Sequence, residues 1–288
     1  MSDDDIALLA RKTWRTAEPL HGMIYFVPEA AEAYAALGIH GRDGYFASRA
    51  APMGAVSADV VIATFFNFNP SLVRHAIPAA WSVTTPEALV AARFTAADAA
   101  FRRILGEEVV GSESMRRASE LARGLAEATA THLEGRPLCA GHVEVAWPEA
   151  PHLVLWHAQS ILREFRGDAH VALLVTHQLS GIDALVTHAA SGDVPAETLR
   201  LTRGWSPEDW RAAADSLRER DWLADTDPEG DAETLTLTEW GTTQRQEIEA
   251  QTDHLASAPY AQLGQEGCAE LRTLTRPWSK AFSEVLFR

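Results

Sequence analysis

Cysteine is almost absent: Cys139 and Cys268 stand alone in 288 residues, with no CxxC and no Cys/His spacing. That leaves no disulfide framework and no thiolate metal site, and predicts two reduced, buried thiols. Basic charge is also short. The 25 Lys and Arg residues face 40 Asp and Glu, a formal net charge of −15, so the mean field opposes nucleic-acid phosphates and anionic lipids. Long apolar runs are missing too. The start MSDDDIALLA has an acidic head and a short apolar stretch, which predicts neither signal peptide nor membrane span, and hence a cytoplasmic chain with no membrane partner. No Walker loop, dinucleotide glycine fingerprint or Gly-x-Ser-x-Gly elbow occurs, so nucleotide-dependent transfer and serine-hydrolase chemistry lack their equipment and any cofactor stays unknown.

What is present is helical periodicity over a chain that is 47% hydrophobic, ample for a core. Residues 7–25 carry apolar positions at helical spacing, interrupted at Pro19. Pro28 to Leu37 has proline at its start and Gly38 at its end. The segment from His40 to Gly54 reads as a loop and short helix carrying Arg49 inward. Thr85-Pro86-Glu87 opens a capped helix, 96–105 forms another, and 112–131 is amphipathic. The Pro-rich 135–151 reads as a connection. Beyond it come a helix to Glu164, a second from Ala169 to His177, a turn at Ser180-Gly181, a helix to Ala190, and one starting at Ser206-Pro207. Residues 223–238 place DTDPEGDAE between apolar ends, which predicts a hairpin with a long acidic tip. A polar helix, 239–256, follows.

Shifting the chain by 113 residues lays Ala58–Ala76 over Val171–Ala189, each an apolar helix, a polar break and a helix ending in His-Ala. The expected fold is all-α with a small β-hairpin wing: two related helix-turn-helix-like halves, the second a winged helix over 169–256. The expected divisions are 1–134, 152–256 and a packing tail, 257–288.

The chemistry concentrates in LWHAQSILREFRGDAH, Leu155 to His170, where Arg163, Glu164, Arg166, Asp168 and His170 lie between apolar segments. Buried charges without partners cost several kcal/mol each, so these groups form either a salt-bridge knot or the floor of a site. Glu18 and His21 stand one helical turn apart. Carboxylate plus imidazole suits proton transfer, with His21 and His170 as the acid/base pair and Glu18, Glu164 and Asp168 orienting them. Arg49, Arg163 and Arg166 suit an anionic or carbonyl group, with Tyr25 and Tyr45 alongside. For Asp168 alone, capping the helix that follows is the simpler reading. A metal version, with Glu18, His21, Asp168 and His170 around iron, manganese or zinc, has the right donors but no spacing that brings them together. His157, His177 and His188 read as ordinary histidines, and Phe65, Phe66 and Phe68 with Tyr25, Phe26, Tyr45 and Phe46 as core or an apolar pocket.

The stretches EPLHGMIYFVPEA (18–30), GYFASRAAPMG (44–54), LWHAQSILREFRGDAHVALL (155–174), Arg203-Gly-Trp205 and LTEWG (237–241) resemble a family of actinobacterial proteins of similar length, labelled helix-turn-helix or MarR-like. The family pattern reads RGDGH where this chain has RGDAH at 166–170. The resemblance implies a C-terminal winged helix, with the polar motifs mainly outside the element that would touch DNA. That element is itself acidic: Glu208, Asp209, Asp215, Glu219 and Asp221 against Arg211, Arg218 and Arg220. The expected function is therefore a small-molecule binder or a cofactor-independent acid/base enzyme, with a polar site between the halves, DNA an unlikely partner and a homodimer possible. The alternative is a ligand-responsive MarR-like regulator; a basic strip along Arg200, Arg203, Arg211 and Arg218 favours it.

Overall fold

Two units, interleaved along the chain, make up the structure, a computed structural model that describes residues 2–225 and 234–286. The first comprises Met1–Ser57, His75–Ala169 and Asp253–Arg288, and the second Ala58–Arg74 and His170–Thr252. They cut the chain differently from the three consecutive segments read from the sequence. Among the described residues no single helix is long and apolar enough to cross a membrane.

The first unit is built on helices with clear start signals. Ser2 and Asp5 form a capping box at the head of Asp3–Gly22, satisfying two orphan donors while three aspartates meet the positive helix end. Pro19 lies inside this helix rather than breaking it. Asp3–Gly22 packs on Ala258–Leu286, which also packs on Glu113–Ala128. Pro86–Leu105 is one helix instead of two, capped by Thr85, whose side chain accepts from the Ala88 amide; it carries Pro28–Ala36 and Gly41–Ala50 on its sides. Two further expectations are corrected here. The supposed connection at 135–151 contains the helix Pro137–Val143, seated so closely on Ala51–Met53 that a Cβ at Gly141 would lie 2.8 Å from the Pro52 carbonyl oxygen. The charged stretch is not a junction of two helices, because Pro151–Thr176 runs through it as one helix of 26 residues. Only Gly167 interrupts the good helix formers there, and one glycine costs about 1 kcal/mol, too little to break a buried helix.

The second unit gathers Leu173, Leu185, Val186, Leu199, Trp210, Leu217, Trp222 and Ile248 into its own core. The two stretches of the internal repeat fold alike. Ala58–Phe65 and Pro70–Ala76 are separated by Phe66 at φ 48°, and the helix ending at Thr176 is separated from Gly181–Ala190 by Gln178 at φ 56°. Both breaks thus turn through a non-glycine left-handed residue, a rarely populated conformation. Ala196–Arg203, left-handed Gly204, the Ser206 cap and Pro207–Glu219 form the helix-turn-helix, with Trp210 and Leu217 buried. The first repeat stretch is tied to it by Trp205 Nε1 donating to the Asn67 carbonyl at 3.0 Å and the Asn69 amide donating to the Arg203 carbonyl at 2.9 Å.

The expected hairpin wing is overturned: among the described residues there is no β-strand, only an isolated antiparallel bridge between Leu223 and Leu237. Its acidic tip, residues 226–233, lies outside the described residues. The alternating Leu235 and Leu237 pack against the unit's core, and Thr238 is taken up in starting the next helix, its Oγ1 donating to the Asp221 carbonyl and accepting from the Gly241 amide. Alternation here serves burial and capping, and among the described residues the pairing is limited to the bonds flanking that bridge, Ala224 amide to Thr236 carbonyl at 2.9 Å and Thr238 amide to Trp222 carbonyl at 3.1 Å.

Candidate functional site

The first unit collects most of the predicted polar residues, but in a different grouping. Glu164, 1% exposed, sits mid-helix and is held from both sides. Arg49 reaches it with two parallel bonds, Nε to Oε1 at 3.1 Å and Nη2 to Oε2 at 2.9 Å. Arg163 Nη1 adds a third at 2.8 Å and turns its Nε to Glu18 at 3.3 Å. Burial opposes ionisation of Glu164, but Arg49 and Arg163 outweigh it and hold the carboxyl well below the usual range. Arg49 is correspondingly held well above its ordinary value: desolvation opposes its charge, but Glu164, Tyr45 and Tyr25 prevail. Glu18 moves the other way, raised by desolvation against the pull of Arg163. The guanidinium forks assigned to a ligand are thus occupied within the protein.

Beside this network runs a chain of hydroxyl and imidazole groups with a definite direction. Ser160 Oγ donates to the Trp156 carbonyl at 3.0 Å, so toward His21 Nδ1, 2.8 Å away, it acts as acceptor. That assigns the proton of the neutral ring to Nδ1 and leaves Nε2 to accept from the Tyr25 hydroxyl at 3.1 Å. Burial, then Arg163, pushes the His21 pKa well down, and burial raises that of Tyr25, so both stay uncharged at neutrality. His21 is fully buried, whereas Tyr25 and Tyr45 are half-buried and pack on each other, their rings 5.1 Å apart. Arg49 Nη1 also donates to the Tyr45 hydroxyl at 3.0 Å.

Trp156 links this chain to a set of residues that sequence reasoning passed over. The His21 ring stacks on it at 6.4 Å, and the Arg93 guanidinium lies 5.4 Å from its centroid. Arg93, His142, Trp156, His157, Phe94 and Val145 line one cavity, all from the first unit. The sequence signal for Arg93 is a single cation in a run, ALVAARFTAADAAF, that is apolar apart from Thr95 and Asp98. His157 looked ordinary because an apolar helix face hides what packs against it.

The remaining predicted residues go elsewhere. Asp168 caps no helix that follows it, since it lies inside Pro151–Thr176; its Oδ2 instead accepts from the Cys139 amide at 2.9 Å, in the first turn of Pro137–Val143. Arg166 pairs with Asp253 at 2.7 Å and lies 4.6 Å from the Trp14 ring centroid. His170 belongs to the second unit, where its Nδ1 meets Thr252 Oγ1 at 3.0 Å. Phe65, Phe66 and Phe68 lie in that unit, and Tyr25, Tyr45 and Phe46 in the first. Among the described residues no three His, Cys, Asp or Glu side chains gather as a metal-holding group.

Desolvation pushes Asp168 up to about 7, against its bonds to the Cys139 and Leu138 amides. A carboxyl whose folded pKa is raised binds more protons folded than unfolded, so its contribution to stability is present below about 4 and is lost as pH rises through about 7. Asp168→Asn keeps an acceptor for the cap without the titration. Relative to wild type, this variant is expected to gain stability between pH 5 and 7.5, by up to about 1.4 kcal/mol per unit. Urea unfolding at both pH values checks this; a constant difference contradicts it. The comparison also removes the opposite slope of the buried histidines, which is common to both proteins.

On the helix-turn-helix, Pro207–Glu219 exposes Glu208, Asp209, Asp215 and Glu219 beside Arg211. Arg218 pairs with Asp215 at 2.7 Å, Arg220 with Asp183 at 3.3 Å, and Arg203 lies 4.8 Å from the Phe68 ring centroid. Arg200 donates to the Trp205 carbonyl at 3.4 Å.

One family model, described as a helix-turn-helix family, matches residues 10–286. No curated protein and no solved structure matches the chain.

Proposed function

We propose, for a chain that belongs to the helix-turn-helix family, that it is a cytoplasmic small-molecule protein whose ligand meets the first unit at the Tyr25 and Tyr45 pair. It acts there as a plain binder or as an acid/base enzyme needing no organic cofactor. The observation that carries this reading is the directed chain from Tyr25 through neutral His21 to Ser160, set against an ion network satisfied within the protein. With its proton given to His21, the Tyr25 hydroxyl accepts a hydrogen bond from a ligand hydroxyl or carboxyl without creating a buried charge, and a proton passed to it moves on to His21 Nε2, where the imidazolium pairs with the ligand anion left behind. Arg49 and Glu164 serve as the frame that fixes the tyrosines. In this reading the helix-turn-helix is a packing module, since its exposed acids oppose phosphate. The alternative, a ligand-responsive MarR-like regulator, draws its support from the family alone.

Native mass spectrometry of freshly purified full chain is expected to show a small-molecule adduct, or one gained from a panel of small alcohols and carboxylic acids. Tyr25→Phe is expected to weaken it about tenfold, one net hydrogen bond, with circular dichroism unchanged. A wild type that carries no adduct and gains none overturns the reading. Salt-sensitive binding to random-sequence duplex DNA puts the regulator ahead.

A further inference from the structure

The cavity around Arg93 shares Trp156 with the His21 stack but includes neither Tyr25 nor Tyr45 in its lining. Arg93, 2% exposed, spends one bond of its guanidinium, Nη1 to the Ser48 carbonyl at 3.0 Å, while its Nη2 has no partner in the protein. Three other nitrogens of the same wall are buried without a partner: Trp156 Nε1, His142 Nε2 and His157 Nε2. All four residues are at most 3% exposed. Burial holds His142 well below its ordinary value and His157 at about 4, so both rings are neutral and Arg93 is the charged residue of the lining. Buried polar groups are nearly always satisfied, and an uncompensated buried charge is the most expensive exception. The cavity is small and partly open, with room for an occupant of roughly water to halide size.

We propose that this cavity is a binding site for a compact, singly charged anion, either a free halide or the carboxylate tip of a small organic acid, seated on Arg93 Nη2 and Trp156 Nε1. Both atoms are obligate donors, and Arg93 adds a positive charge that a water leaves uncompensated and an anion neutralises. Phe94 meets both Trp156 and His157 edge to face, and the burial of these nitrogens strengthens the attraction. The same chemistry bears on the first unit's stability, because a ligand bound to the folded state alone stabilises it in proportion to the logarithm of its concentration.

The test uses the full chain in chloride-free gluconate buffer at constant ionic strength, titrated separately with chloride, bromide and acetate while the thermal midpoint is followed. A saturable rise is expected, abolished in Arg93→Met and retained in Arg211→Gln, whose side chain is on the exposed helix-turn-helix face. A response to the halides assigns the site to free halide, and a response to acetate alone assigns it to a carboxylate. If Arg93→Met fails to fold, wild-type protein decides by itself: chloride-35 line broadening for the halide source and isothermal titration with acetate for the carboxylate source. No saturable response to any of the three anions overturns the proposal, as does a response that survives in a folded Arg93→Met.

Discussion

Glu164→Gln is expected to lower the unfolding free energy by about 3–5 kcal/mol, the usual consequence of removing one partner from a buried ion pair. The size follows from what is left behind. The introduced amide keeps the shape and one acceptor, but Arg49, only 8% exposed, loses the counter-charge on two of its bonds and Arg163 loses its shortest. Because Glu164 is held well below its ordinary pKa, its contribution in the wild type is present above about 4.5 and is lost as pH falls through the folded value. The substitution is therefore expected to cost most at neutral pH and progressively less in strong acid. Urea unfolding at pH 7 and pH 3 measures both. A loss below about 1 kcal/mol at pH 7 contradicts the view of this network as the frame of the site.

Gly181→Ala is the second large effect, and it acts in the other unit. A Cβ there would stand 2.0 Å from the Phe66 carbonyl oxygen and 2.9 Å from Asn67 Cα. Both obstacles are backbone, in a turn already held by the Asn69 amide and by Trp205 Nε1 on the Asn67 carbonyl, so no flexible side chain relieves the overlap. A loss at or beyond the upper end of the overpacking range, about 3 kcal/mol, is expected. Hydrogen exchange is expected to quicken in 58–74 and 170–190 and not in the first unit. Gly124→Ala, in a helix with nothing within 4 Å of the new methyl, is the control and is expected to gain about 0.5–1 kcal/mol. Equal effects of the two substitutions contradict the close approach at Gly181.

The two effects mark where the sequence was readable. Ser2, Thr85, Ser112, Ser180 and Ser206 each cap the helix that a Ser or Thr followed by acids or proline announces. The break at Ser180-Gly181 and the similarity of 58–76 to 171–189 were equally open to inspection, since both rest on short-range pattern. The hairpin wing was not: alternation in TLTLT is the same whether the threonines face a partner strand or cap a helix. The charged stretch misled for a related reason. A run of ions in an apolar segment resembles a break between helices until partners such as Arg49 and Asp253, distant in sequence, neutralise it.

By itself the sequence determined the all-α class, the helix-turn-helix and its acidic outer face, the two isolated buried thiols, and the expectation that Arg49, Glu164, Arg163, Glu18 and His21 carry unusual chemistry. Each of these depends on composition or on periodicity within a few turns. Only the tertiary structure decided that Asp168 caps Pro137–Val143, that His170 goes to Thr252 in the second unit, and that Arg93, 2% exposed, reaches a cavity with two neutral histidines. The physical reason is that a charge's meaning inside a protein is set by its partners. Arg49 lies 115 residues from Glu164 and Cys139 lies 29 from Asp168, beyond any periodicity a helix can show.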